Sequence, residues 1–207
     1  MASNIETELK FTLSQSEFDK LVTSFKLLKI KRQRNIFFDT VQQDLARARW
    51  ALRLRDEDGH FFLTAKGPGE SHDGMVERIE IEVAIEAGHA DALIQGRSAA
   101  LHGLAPWQAV QDFIGARSVH VVLTFENQRR VFLWKNWKLE VDEAHCAGQR
   151  LLELEIECEV REKKSLLQDV RQLFASLGIE PRASTHSKLA WAMQCTAQGS
   201  EGKKRST

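Results

Sequence analysis

Charged residues alternate with mainly apolar ones at the start of the chain, over residues 5–11. Glu6, Glu8 and Lys10 share one parity. In a β-strand this spacing places two carboxylates and one ammonium group on the same face. Such a face is either an ordinary solvated surface or a polar site that binds a metal ion and an anion together. Recurrence of the pattern decides between these two interpretations.

The same alternation recurs in later segments, and residues of both signs take part. The recurring positions are Arg53 and Arg55, Lys66, Arg78 with Glu80 and Glu82, Glu140 with Asp142, and Glu155 with Glu157. Amphipathic helices with apolar stripes are predicted elsewhere in the chain, and they need an apolar surface to cover. We therefore expect the helices to cover the outside of a sheet whose charged face lines an interior.

An interior lined by charges is costly unless the charges are paired, hydrated or bound to ions. Carboxylate oxygens suit hard divalent cations, and Arg and Lys side chains bind phosphate oxygens. A polyphosphate chain bound together with Mg²⁺ or Mn²⁺ satisfies both groups of side chains. The alternation therefore indicates a site for a metal-complexed polyphosphate.

Local signals predict the elements that must position these side chains. A capping box at Ser14 begins an amphipathic helix, and Gly178 ends a second helix that starts near residue 165. Asp58 and Gly59 predict a hairpin turn. Residues 67–74, which are rich in Gly, Pro and Ser, are expected to form a loop, and a pair of strands is expected to turn at 126–129.

Composition limits the classes of partner. The chain has 207 residues, with 29 Lys and Arg side chains against 29 Asp and Glu side chains. This balance argues against a general attraction to nucleic acid or to an anionic membrane, so an anion site must be local. The length predicts one domain, which we place at 1–196, and a disordered polar tail at 197–207.

Cysteine usage and hydropathy indicate the compartment. The three cysteines are an odd number without paired spacing, which argues against a disulfide framework and against a zinc site. No apolar run approaches the ~20 residues needed to span a bilayer. We expect a cytoplasmic protein that binds neither membrane nor nucleic acid, and we expect a monomer, with a dimer as the alternative.

Taken in order, the charged residues resemble those of the CYTH superfamily, also called the triphosphate tunnel metalloenzymes. The resemblance runs through Glu6, Glu8, Lys10, Arg53, Arg55, Lys66, Glu80, Glu82, Arg129, Asp142, Glu155, Glu157 and Lys188. Within the superfamily the chain is similar to short, single-domain plant-type triphosphatases. The likeness spans residues 3 to about 193 and includes the Glu-x-Glu-x-Lys signature at 6–10.

The resemblance implies an α+β fold, in which an eight-stranded antiparallel β-barrel forms a tunnel with a charged interior and is covered outside by helices. The implied substrate-binding residues are Lys10, Arg53, Arg55, Lys66, Arg78, Arg129 and Lys188. The implied metal ligands are Glu6, Glu8, Asp142, Glu155 and Glu157, and the implied catalytic residues are Glu8, Lys66, Glu80 and Glu82. For Arg78 an ion pair within the wall is the alternative. The register stays open at Glu153 against Glu155 and at Arg129 against Arg130.

The resemblance further implies hydrolysis of inorganic triphosphate to pyrophosphate and phosphate, with Mg²⁺ or Mn²⁺ as cofactor. A class IV-type adenylate cyclase and a thiamine triphosphatase are alternatives within the superfamily. A binding module for polyphosphate or nucleotides is the non-enzymatic alternative. The complete set of carboxylates argues against that module, because binding a polyanion alone does not require them.

Overall fold

A computed structural model describes residues 5–204, with side chains for residues 5–198. The strands in this range are β1 (Ile5–Thr12), β2 (Leu27–Asp39), β3 (Ala51–Glu57), β4 (His60–His72), β5 (Met75–Ile85), β6 (His120–Trp134), β7 (Trp137–Cys146) and β8 (Gln149–Glu157). The helices are α1 (Gln15–Ser24), α2 (Asp44–Arg47), α3 (Ala87–Ile94), α4 (Ala105–Ile114), α5 (Lys163–Leu177) and α6 (Lys188–Lys204). Short 3₁₀ helices lie at Ser98–Leu101 and Val160–Glu162. None of the described helices is both long and apolar enough to span a membrane.

The eight strands close into an antiparallel barrel in the order β1-β5-β4-β3-β2-β6-β7-β8. Pairing of β1 with β8 completes the closure, with Lys10 opposite Glu155 and Glu8 opposite Glu157. Closure leaves no strand at a free edge. The predicted α+β fold with an eight-stranded antiparallel barrel is confirmed.

The chain divides into two compact units, which we describe separately. Of the described residues, the first unit comprises Ile5, Arg32–Gly69 and Arg78–Glu126. The second unit comprises Glu6–Lys31, Glu70–Glu77 and residues 127–204. Each unit contains strands and helices and has an apolar core of its own.

In the second unit, the apolar parity of β1, β7 and β8 packs against α1 and α5. Leu9, Val141 and Ile156 are completely buried among residues such as Leu21 of α1 and Leu166 of α5. The capping box predicted at the start of α1 is present, and Gly178 ends α5 in the left-handed conformation, as predicted. The charged parity of the same strands therefore lies on the face turned away from these helices.

The first unit repeats this arrangement. Leu52, Leu54 and Leu63 of the hairpin β3–β4 are completely buried against residues such as Val110 and Ile114 of α4. The hairpin turns where predicted, with Glu57 opposite His60 across the turn. In both units the helices cover the apolar face of the sheet, as expected.

Two predicted segments differ from the structure. The loop expected at 67–74 is largely strand, because β4 continues to His72 and the reversal is made by Asp73 and Gly74, both with positive φ (51° and 83°). An Asp-Gly pair suits a two-residue hairpin turn, and it determines the turn position more strongly than the Gly and Pro residues before it. The strand pair expected around 126–129 is one strand, β6, since burial alternates through Phe125, Asn127 and Arg129 without interruption.

The C-terminal helix α6 continues to Lys204, past the predicted domain end at residue 196. The last part of the predicted disordered tail, residues 205–207, lies outside the described residues. The division into a domain at 1–196 and a tail at 197–207 stays a prediction.

Candidate functional site

The register of β1, β8 and β7 brings charged residues together in the second unit. Glu155 of β8 lies opposite both Lys10 of β1 and Glu140 of β7, and Glu153 lies opposite Asp142. We call the resulting group the Lys10 cluster. It consists of Glu8, Lys10, Arg129, Glu140, Asp142, Glu153, Glu155 and Lys188.

Arg129 of β6 contacts three carboxylates of the cluster. Its guanidinium donates to both oxygens of Asp142, at 2.8 Å from Nε and 2.7 Å from Nη2. It also contacts Glu155 at 2.5 Å and makes a further ion pair with Glu140. Arg130 lies on the other side of β6, where it pairs with Glu143. The structure therefore brings Arg129, and not its neighbour, into the cluster.

Lys188, the first residue of α6, also enters the cluster. Its Nζ lies 2.8 Å from Asp142, 2.9 Å from Glu153 and 2.5 Å from Glu155. Glu153 and Glu155 have the same parity on β8, and both side chains are buried. Both glutamates thus lie on the same face of β8 and contact Lys188, so the register excludes neither of them from the site.

Burial and close charges act in opposite directions on the pKa values of the cluster. Burial would lower the pKa of Lys10, but the carboxylates of Glu155 and Glu8 raise it above its ordinary value. Burial would raise the pKa of Glu155, but Lys10, Lys188 and Arg129 hold it well below the ordinary range. The pKa of Asp142 is lowered in the same way by Arg129 and Lys188, against the effect of burial. Lys10, Asp142 and Glu155 are therefore ionised at neutral pH.

These pKa directions predict a loss of stability in acid. Asp142 and Glu155 titrate at about pH 4 in an unfolded chain, so the stability they contribute is fully present above that pH. It is lost as the pH falls through their lowered folded-state pKa values. Lys10 has a raised pKa, so its contribution is lost only at alkaline pH. Urea unfolding between pH 2 and 8 should show a free energy of unfolding that falls below about pH 4, and it should fall less steeply in Glu155→Gln.

Around Glu157, in the second unit, carboxylates outnumber the cationic side chains that act on them. Partial desolvation and then repulsion from Glu140 and Glu6 raise the pKa of Glu157, although its side chain reaches solvent. Lys138 opposes this shift and lies 2.8 Å from Glu140. Hard carboxylate oxygens that repel one another suit a divalent cation, which would relieve the repulsion.

The predicted metal ligands therefore fall into two groups. Glu6 and Glu157 belong to this carboxylate excess, whereas Glu8, Asp142 and Glu155 contact cationic side chains of the Lys10 cluster. Among the described residues, no three His, Cys, Asp or Glu side chains are arranged to hold one metal ion. Carboxylate oxygens have the donor chemistry that suits a hard cation, but Glu8, Asp142 and Glu155 contact cationic side chains of the protein itself.

A second charged group lies in the first unit, and we call it the Arg53 cluster. It consists of Arg53, Thr64, Lys66, Glu80 and Glu82. The Arg53 guanidinium lies 3.1 Å from Thr64 Oγ1 and 3.3 Å from Glu82, and Thr64 donates to Glu82 at 2.7 Å. Lys66 contacts Glu80 at 2.5 Å. Glu80 and Glu82, two of the residues predicted as catalytic, thus contact Lys66 and Arg53, two of the four predicted phosphate-binding cations of this unit.

Arg55 and Arg78 are the other two predicted phosphate-binding cations of the first unit. The Arg55 guanidinium donates to the buried amide oxygen of Asn35, its partner across β2 and β3, at 3.3 Å. Arg78 is half-buried in β5. The uncharged residues Asn35 and Thr64 were not among the predicted site residues. Asn35 lies opposite Arg55 across β2 and β3, and Thr64 lies opposite Arg53 across β3 and β4. These pairings identify the two residues, but they can be read only once the register between the strands is known.

The fold and these charged clusters together define the class of the protein, an antiparallel barrel with helices outside and ionisable residues on the opposite face. A family model described as the CYTH domain matches residues 4–188. The chain belongs to this family, as the order of its charged residues predicts. Its similarity to a plant protein of known structure agrees with the predicted likeness to plant-type triphosphatases.

Three relatives are informative. A Hippeastrum protein, provisionally named an adenylyl cyclase and described as having a dominant triphosphatase activity, has a solved structure with a TM-score of 0.81 and 27% identity, covering 91% of this chain and 95% of that one. A protein of Methanocaldococcus jannaschii, provisionally named an adenylate cyclase, is 40% identical over 87 residues, or 40% of this chain and 48% of that protein. A Bacillus subtilis protein, provisionally named a triphosphatase, is 33% identical over 72 residues, or 34% and 38% of the two chains. The matches to the last two span less than half of each relative.

Proposed function

We propose that the protein hydrolyses inorganic triphosphate to pyrophosphate and phosphate, with Mg²⁺ or Mn²⁺ as cofactor. The observation that carries this proposal is the Lys10 cluster, in which ion pairs join three cationic side chains to five carboxylates. Lys10 and Arg129 are buried, and the Lys188 side chain is 13% exposed. The family and the triphosphatase activity of the Hippeastrum relative agree with it.

The composition of the cluster favours joint binding of a polyanion and a cation. The donors for phosphate oxygens would be Lys10, Arg129 and Lys188. In the structure these three side chains contact carboxylates instead. A triphosphate alone would have to displace those carboxylates, and the displaced carboxylates would then lie buried without partners. A cation that arrives with the triphosphate gives the carboxylates a replacement partner, so the two bind together at lower cost.

The roles of individual residues follow from this exchange. Lys10, Arg129 and Lys188 would hold phosphate oxygens and neutralise charge that develops on the leaving pyrophosphate. Glu6 and Glu157, with Glu8, Asp142 and Glu155, are the proposed ligands of the cation, which when bound supplies charge neutralisation and an activated water. Arg53, Arg55, Lys66 and Arg78 of the first unit stay proposed phosphate-binding residues. Glu80 and Glu82 stay proposed contributors to catalysis, and their contacts favour positioning of Lys66 and Arg53.

Adenylate cyclase activity is the second candidate, because the Methanocaldococcus jannaschii relative carries that name. Thiamine triphosphatase activity is a third candidate, and binding without turnover is the non-enzymatic one. The small-molecule triphosphate partner and the cytoplasmic location are part of the proposal, as are the monomeric state and the lack of nucleic-acid or membrane partners.

One assay separates the candidates. Purified protein is incubated in parallel with triphosphate, ATP and thiamine triphosphate, and phosphate, pyrophosphate and cyclic AMP are measured. We expect phosphate mainly from triphosphate, loss of activity in EDTA, and recovery on addition of Mg²⁺ or Mn²⁺. Cyclic AMP with pyrophosphate from ATP would identify a cyclase instead. Binding of triphosphate without any product would support the binding module.

A further inference from the structure

The segment before α6 pairs with β1 beside the Lys10 cluster. The backbone N–H of Ser184 donates to the carbonyl of Lys10 at 3.0 Å, and the N–H of Thr12 donates to the carbonyl of Arg182 at 2.9 Å. Phe11 and Ala183 form a β-bridge between these two bonds. This short pairing holds the backbone of Ser184 at a defined place on β1.

Glu153 joins this segment to Lys188. The carboxylate is completely buried, and its Oε1 accepts a hydrogen bond from Ser184 Oγ at 2.7 Å. Its Oε2 lies 2.9 Å from the ammonium of Lys188. The Ser184 hydroxyl also lies 3.1 Å from the carbonyl of His186, but the shorter bond to a charged acceptor is the stronger one. Each oxygen of Glu153 thus contacts a different residue of the segment 184–188.

A long lysine side chain needs such constraints if it is to act at one position. Free lysine side chains lose rotamer entropy when they are ordered. Asp142 and Glu155 also contact Lys188, but in the proposed function these two carboxylates exchange partners when substrate and cation bind. Glu153 was not among the predicted ligands, and its second oxygen is held by Ser184. It therefore can keep Lys188 in place while the other contacts change.

We propose that Glu153 and Ser184 are positioning residues, which hold the Lys188 ammonium where it binds a phosphate oxygen of the substrate. This inference rests on the proposed function, because it assigns Lys188 to substrate binding. It adds Ser184, which the sequence pattern did not assign to the site, and Glu153, which the sequence left open as an alternative to Glu155. It predicts that both residues act through Lys188 rather than on the substrate.

The test compares four variants. Glu153→Gln retains an acceptor for Ser184 and removes the charge that faces Lys188, whereas Ser184→Ala removes only the hydroxyl and Ser184→Thr retains it. Arg182→Gln is the matched control, because Arg182 ties the same segment to Glu17 of α1 and contacts no member of the cluster in the bonds described. Steady-state kinetics with triphosphate and crystal structures of the variants are measured.

We expect Glu153→Gln to raise KM about tenfold with a smaller change in kcat, because a less constrained Lys188 holds the substrate less well. Ser184→Ala should raise KM about threefold, since one hydrogen bond is lost. Ser184→Thr, which keeps the hydroxyl, should have the KM of the wild type, and so should Arg182→Gln. In the Glu153→Gln crystal structure, the Lys188 ammonium should be displaced or without a single position.

Two results would overturn the positioning role. One is a wild-type KM in Glu153→Gln with Lys188 in its original place. The other is an equal rise of KM in Arg182→Gln, which would indicate general anchoring of the segment. If the wild-type protein releases no phosphate from triphosphate, the proposed function fails, and the crystal structures of Glu153→Gln and Arg182→Gln then decide whether Glu153 positions Lys188.

Discussion

Replacement of Arg129 by alanine is expected to destabilise the protein by about 3–5 kcal/mol, because the change removes one partner of a buried ion-pair network. The guanidinium contacts Glu140, Asp142 and Glu155, all of them buried. Without it, these carboxylates lie close together in a poorly solvated place. Their mutual repulsion would raise the pKa values of Asp142 and Glu155 or draw water into the network, and both responses cost stability. Urea unfolding at neutral pH measures the change.

Arg130→Ala is the matched control for this prediction. Arg130 is the next residue on the same strand, pairs with Glu143 at 3.3 Å and lies over the ring of Phe18. A partly exposed pair of this kind contributes roughly 1 kcal/mol or less. Equal losses of stability in the two variants would contradict the assignment of Arg129 to a buried network.

Addition of triphosphate with Mg²⁺ should raise the stability of the wild-type protein through binding to the folded state.

Replacement of Lys66 by alanine is expected to lower turnover of triphosphate by about a hundredfold or more, which corresponds to a loss of about 2–4 kcal/mol of transition-state stabilisation. Lys66 lies at the end of the alternating pattern of β4, and its Nζ contacts Glu80 at 2.5 Å. Its side chain is 16% exposed, so the fold should tolerate the truncation. Phosphate release at saturating triphosphate measures the effect, and circular dichroism checks the fold.

Arg117→Ala serves as the control in the same unit. Arg117 makes an ion pair with Asp44 at 2.8 Å, but half of its side chain is exposed and it belongs to neither charged cluster. Turnover in this variant should match the wild type. Near-native turnover in Lys66→Ala would remove Lys66 from the proposed site, whereas lowered turnover in both variants would indicate a general effect on the fold.

Glu8→Gln separates a catalytic role from a structural one in the second unit. Glu8 lies 3.0 Å from Lys10, and its side chain is 3% exposed. The amide keeps the shape of the side chain and removes its charge, so we expect a fall in turnover of about a hundredfold with a small change in stability. Native activity in the variant would contradict the proposed catalytic role of Glu8.

Much of the site could be predicted from local patterns. Alternation along β1 and β8 determines which side chains share a face, because the period of a strand is two residues. The need of α1 and α5 for an apolar surface then determines which face the helices cover. For this reason Lys10 and Glu155 could be assigned to the charged face before any pairing was known.

Local patterns failed where a tertiary constraint was stronger. The Gly- and Pro-containing stretch at 67–69 is part of β4, because the Asp73-Gly74 turn and the neighbouring strands hold it extended. The polar stretch 126–129 was predicted as a turn, yet Asn127 and Arg129 are buried in β6. Arg129 has acidic partners there, Asp142 on β7 and Glu155 on β8. A polar stretch can be a buried strand only when other strands satisfy its polar groups.

By itself, the sequence of this protein determined the family, the signs of the charges and the side of each strand on which they lie. Only the tertiary structure decided which charges meet. Glu153 and Glu155 have equivalent positions in the alternating pattern, yet their contacts differ. Glu153 contacts Ser184 and Lys188, whereas Glu155 contacts Lys10, Arg129 and Lys188. The physical reason is that side-chain parity is a local property of one strand, whereas an ion pair depends on the register between strands that lie far apart in the chain.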